Sequence, residues 1–149
     1  MPGPTVHLRL TMGWATEEGL TPEEAQSVAT ADVLVDELWP GHRKWWHHFN
    51  PPASLLFAPL EMARAVRAYR AGERVAWLTH LGRSLHSRQD AVGHGRLGLN
   101  HLAWNAGLLG RDPDEWELMP ASVQDRIERA TRRALARFLR STGKAAPTT

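Results

Sequence analysis

A chain of 149 residues without cysteine forms no disulfide and no thiolate metal site, so any metal it binds must be held by His, Asp or Glu. Its 42% apolar and 23% charged residues are the composition of one ordinary globular domain and exclude a disordered chain. The formal net charge is only +2, and 16 arginines against two lysines, rather than a large charge excess, set the pI near 9.7, which by itself argues little for a nucleic-acid partner.

No run approaches the roughly 18 apolar residues of a membrane-spanning helix. The opening MPGPTVHLRL has neither the basic nor the apolar region of a signal peptide, so a cytoplasmic protein is expected. Residues 1–5 read as a frayed tail, and 6–19 as a short helix or an extended lead-in. A helix over 22–38 has a clear start: Thr21 as N-cap, Pro22 in the first turn and Glu24 closing a capping box. Ala25, Val28, Ala29, Leu34, Val35 and Leu38 recur along it at helical spacing. HRKWWHHFNPPAS, 42–54, reads as a loop ending in a double proline.

A second helix is expected over 55–72, closed by Gly72, and a third over 73–94 with Val75, Ala76, Leu78, Leu81, Leu85 and Val92 as its apolar set. A shorter helix over 99–110 and a turn-rich connector follow. The last helix, 121–142, carries Val123, Ile127, Ala130, Ala134, Phe138 and Leu139 on one side, and 143–149 should fray. No alternating strand pattern, internal repeat or linker interrupts the chain. One all-α domain over 1–149, a bundle of about five to six helices, is the expected fold.

The third helix holds the chemistry. In HLGRSLHSRQDAVGH, 80–94, His86, Asp90 and His94 are spaced by four, so they lie about 40° apart and rise about 6 Å per step on one face. Neighbours four apart can share an ion, and a carboxylate between two histidines can also orient one of them. One helix cannot close a tetrahedral site. The candidates elsewhere are His7, the pair Asp32 and Asp36 four apart on the 22–38 helix, and His42, His47 and His48 in the tryptophan loop.

LGRSLHSRQDAVGH resembles the central motif of the zinc-dependent phospholipase C and S1/P1 nuclease superfamily, in particular its HET-C-like branch: a Leu-Gly pair, then His, Asp and His at intervals of four. The outer order fits too, with an early His at His7, an Asp at Asp36 and a His beside an aromatic at His47 or His48. The resemblance covers roughly residues 5–95. It implies a phospholipase C/P1 nuclease-like helical bundle, up to three zinc ions and hydrolysis of phosphodiesters. It assigns His7, Asp36, His47 or His48, His86, Asp90 and His94 as metal ligands, with Asp36 also bridging ions and acting as general base.

The family's N-terminal Trp ligand has no counterpart in the Met-Pro-Gly start, and its His-x3-Glu pair is replaced by His94 with Gly98 or His101 with Asn105. One or two zinc ions are therefore expected. His80 is expected to be an orienting or partly buried histidine. Arg83 and Arg88 are candidates to contact the phosphate of the substrate, and Trp46 to wall a substrate groove. The function expected is that of a zinc-dependent hydrolase of phosphate esters. The alternatives are a degenerate, non-catalytic metal-binding bundle, or a metal-free module that binds a partner or nucleic acid through the arginines of the last helix.

Overall fold

The computed structural model of the chain describes residues 5–38, 53–93, 107 and 115–144. Among them are five α-helices and no strand: α1 (Thr11–Glu17), α2 (Pro22–Leu38), α3 (Ala58–Arg70), α4 (Arg74–Gly93) and α5 (Ala121–Thr142). π-helical turns at Thr5–Leu10 and Ala53–Phe57 lead into α1 and α3, and a 3-10 turn spans Trp116–Leu118. The fold is the all-α bundle that the periodicity predicts.

The start of α2 is the expected capping box. Glu24 Oε2 accepts from the Thr21 backbone N–H at 3.0 Å, and Thr21 Oγ1 accepts from the Glu24 N–H at 3.3 Å. Two amide donors that no helix can satisfy internally are thereby paired. The break between α3 and α4 is made by Gly72, whose φ of +74° only a residue without Cβ adopts freely.

α4 is the central helix. Eleven of its twenty residues are buried, which requires neighbours on most of its circumference. α3 runs antiparallel to it: Ser84 Oγ donates to the Ala58 carbonyl at 2.7 Å, and Tyr69 meets Trp77 edge-on near the turn. α5 is also antiparallel, with Phe138 stacked on Trp77 at 5.3 Å and Thr131 bonded to Gln89. α2 runs parallel to α4, Val28 lying against Gly82 and Asp32 against His86. The core joins these helices through the fully buried Leu81, Leu85, Ile127, Leu135 and Phe138, each contributing roughly 1.5–3 kcal/mol by leaving water.

The seam between α2 and α4 is closed to backbone contact. A Cβ at Gly82 would stand 2.4 Å from the Val28 carbonyl oxygen and 2.8 Å from the Asp32 nitrogen. Only glycine fits there, and the approach brings the acids of α2 against the histidine of α4.

Two expectations are corrected. Val75, assigned to the apolar face, is 79% exposed: it shares the azimuth of the buried Gly82 and His86, but it sits in the first turn of α4, at the end of the helix. The helix expected over 99–110 lies outside the described residues except for Gly107, which is in a turn with φ +71° and so is not itself helical. Among the described residues, no helix is long and apolar enough to cross a membrane.

Candidate metal centre

Three segments deliver charged side chains to one point. His7 comes from the π-helical turn before α1. Asp32 and Asp36 lie one turn apart on α2, and His86 and Asp90 one turn apart on α4. Because α2 and α4 are parallel and touching, the two pairs separated by four face each other. His7, Asp32, His86 and Asp90 are fully buried, and Asp36, in the last turns of α2, is 14% exposed. Asp36 is thus the least buried of the five.

The two imidazoles stack, centroids 4.3 Å apart and planes 28° from parallel. Asp32 Oδ1 holds the same nitrogen of each ring: His7 Nδ1 at 2.7 Å and His86 Nδ1 at 3.2 Å. Both Nε2 atoms consequently point to the other side, toward Asp90 and Asp36. Asp90 Oδ1 is 3.3 Å from His7 Nε2, and its Oδ2 is 3.3 Å from His86 Nε2. Asp36 repeats the pattern more loosely, with 3.6 Å from Oδ1 to His86 Nε2 and 4.0 Å from Oδ2 to His7 Nε2.

The tautomer of His7 follows from its neighbours. Thr131 Oγ1 donates its only proton to the Ile127 carbonyl at 2.9 Å, so it can only accept from Gln89 Nε2 at 3.2 Å. That fixes the Gln89 amide with nitrogen toward Thr131 and Thr11 and oxygen toward His7. Gln89 Oε1, 2.7 Å from His7 Nδ1, is an acceptor, as is Asp32 Oδ1. Nδ1 therefore carries the hydrogen, and the lone pair of the neutral ring sits on Nε2. In that neutral tautomer His7 Nε2 is buried and makes no hydrogen bond; only a protonated ring can donate from it to Asp90. A buried imidazole nitrogen left in this way, facing carboxylates, has the form of a cation site.

Electrostatics point the same way. Burial is the largest single influence on His7 and pulls its ring down. The charges and hydrogen bonds of Asp32 and Asp90 together outweigh it and hold His7 well above its ordinary value. His86 feels the same downward pull of burial. The charge of Asp90 opposes it and that of His7 adds to it; with hydrogen bonds from Asp32 and Asp90, the ring ends at about 9. Without a cation, then, protons occupy the positions that a cation would take.

The residues present fit a divalent ion. His7, His86 and Asp90 each offer a donor atom within 4.8 Å of the others, and Asp36 stands beside them. Two imidazoles and carboxylates suit zinc and related first-row metals. Asp32 is the carboxylate that fixes ring orientation from behind.

Of the residues singled out in the sequence, His7, Asp36, His86 and Asp90 are brought together. His47, His48, His94 and Trp46 lie outside the described residues. His80 is turned away from the cluster: its Nδ1 pairs with Glu61 Oε2 at 2.6 Å, and Glu61 also takes Arg64 at 2.6 Å. Arg83 lines a groove along the α2–α4 seam with Thr30, Ala31 and Leu34, residues on the face of α2 opposite Asp32 and Asp36. Arg88 faces α5, where it feels the charge of Arg137. Asp32, a candidate ligand from sequence, instead orients the two rings, while Gln89, Thr11 and Thr131 have no sequence signal.

No family model matches the chain, and neither a curated protein nor a solved structure shows significant similarity to it.

Proposed function

We propose that this protein is a zinc-dependent hydrolase acting on phosphate esters, phosphodiesters above all. The observation that supports it most is the pair of imidazole Nε2 atoms facing Asp90 and Asp36, with both Nδ1 atoms tied to Asp32. The resemblance of LGRSLHSRQDAVGH to the phospholipase C and P1 nuclease motif supplies the reaction class. His7, His86, Asp90 and Asp36 would hold the ion. An ion held there supplies Lewis acidity to a phosphoryl oxygen and to water.

The chain's own groups do the rest. Asp32 and Gln89 keep Nδ1 of His7 protonated and its Nε2 aimed inward. The buried rings exclude bulk water from their side of the site, so a substrate would approach from the side of Asp36, the least buried of these residues. Asp36, as the carboxylate nearest solvent, takes the proton of the attacking water.

A second reading has an observation in its favour. Three of the four proposed ligands are fully buried, as in an ion that only staples a bundle. Turnover of a chromogenic phosphodiester separates the two. Zinc-loaded wild type should hydrolyse it, with activity lost in His86→Ala and reduced about a hundredfold or more in Asp36→Asn. Zinc-loaded protein that turns over neither a phosphodiester nor a phosphomonoester would contradict the hydrolase and leave the staple.

A further inference from the structure

The outer face of α5 carries a row of cations that the metal centre does not use. Arg126, Arg129, Arg133, Arg137 and Arg140 are all exposed. At about 100° per residue they fall within an arc of roughly 80°, and at 1.5 Å per residue they span about 21 Å. The row lies well away from the buried face formed by Ile127, Thr131, Ala134, Leu135 and Phe138. It is a straight strip of guanidinium groups on a rigid helix.

Three of the described acids around α5 pair with another arginine. Arg132, the one α5 arginine off the strip, collects Glu17, Glu18 at 3.1 Å and Glu128 at 2.7 Å. Among the described residues, the only carboxylate paired to the strip is that of Asp125, 4.0 Å from Arg129, and both side chains are more than half exposed. Such a pair is worth little. Arg88 of α4 adds a further cation beside Arg137, with its Nε buried and without a hydrogen-bond partner. A chain of net charge +2 thus gathers its excess charge on one helix.

We infer that α5 is a docking surface for the phosphate backbone of a nucleic-acid duplex, bound without regard to base sequence. The planar fork of Arg suits phosphate oxygens, and every cation of the strip is Arg. A duplex presents one phosphate charge per about 1.7 Å of axis, so 21 Å offers roughly a dozen to these five side chains. A lipid surface fits less well. Helices that lie on membranes set large apolar side chains beside their cations, and the apolar side of α5 is committed to the core. Single strands call for exposed aromatic rings on which bases stack, and the one aromatic residue of α5, Phe138, is buried.

The test is fluorescence anisotropy of a labelled duplex of about 20 base pairs with the full chain, in chelator, from about 50 to 300 mM salt. Chelator separates this surface from the proposed hydrolase, since neither result bears on the other. Saturable binding is expected, with a log–log salt slope of roughly −3 to −4.5. Arg133→Gln/Arg137→Gln should weaken it tenfold or more at the lowest salt and reduce the slope by about 2. Arg67→Gln/Arg74→Gln removes the same charge from exposed sites on α3 and α4 and should change affinity less than about twofold. Absence of duplex binding, or equal loss in both double variants, would overturn the inference. So would phosphatidylserine vesicles or a single strand binding more tightly than the duplex through Arg133 and Arg137.

Discussion

Gly82→Ala tests how the fold makes the site. The added Cβ would meet the Val28 carbonyl oxygen at 2.4 Å, the Ala31 Cβ at 2.7 Å and the Asp32 nitrogen at 2.8 Å. Two of these are backbone atoms of a helix and cannot rotate aside, so α2 and α4 must part by about 1 Å to restore ordinary contact. Overpacking of this kind costs about 1–3 kcal/mol, and the upper end applies to a rigid neighbour. Alanine in place of glycine inside a helix recovers about 1 kcal/mol. The net loss is about 2 kcal/mol, a fall in Tm of roughly 4–8 °C, read by circular dichroism on metal-free protein. The same displacement carries Asp32 and Asp36 away from His86 and Asp90, so zinc affinity, measured by competition with a chromophoric chelator, should fall at least tenfold. Unchanged or increased stability, which helix propensity alone predicts, would refute the close seam. Lost stability with unchanged zinc affinity would refute its link to the site.

Asp32→Asn removes the charge shared by the two Nδ1 atoms while keeping the shape of the side chain, and zinc affinity should drop ten- to a hundredfold; unaltered affinity in the same competition assay would strip Asp32 of its orienting role. In metal-free protein His7 and His86 have pKa values raised over the unfolded chain, so their stabilising contribution is complete below about pH 6.5; that of His86 is lost as pH rises through about 9, and that of His7 as pH rises through its own raised value. Tm of the metal-free chain should therefore fall between about pH 6.5 and 9.5, and a flat or rising profile in a pH series of thermal melts would contradict the buried ion pairs. Over the same window zinc affinity should rise, because binding displaces the Nε2 protons; calorimetry in buffers of different ionisation heat would detect their release.

Much of this architecture is legible in the sequence because it is local. The Thr21–Glu24 box and the extent of α2 follow from caps and periodicity that a few neighbouring residues carry. His86 and Asp90 stand out because a spacing of four puts them on one face whatever surrounds the helix. Asp32 stands out beside Asp36 by the same spacing, but its orienting role does not, since that depends on α2 and α4 running parallel with Val28 at Gly82, a tertiary register that no local pattern encodes. Gln89 reads as one more polar residue until Thr131, 42 positions later, fixes its amide. His80 shares the histidine-rich stretch but lies about 120° round the helix from His86, where Glu61 of α3 takes it instead. Arg88 is likewise placed by its helix face, toward α5 and not toward the acids.

Metal content of tag-free protein, by plasma mass spectrometry after zinc reconstitution and dialysis, tests the central claim most directly. About one zinc or more per chain is expected in the wild type, and its loss in His86→Ala/Asp90→Ala. Less than about 0.1 zinc per chain in the wild type, or full retention in the double variant, would contradict a metal centre built on His7, His86 and Asp90.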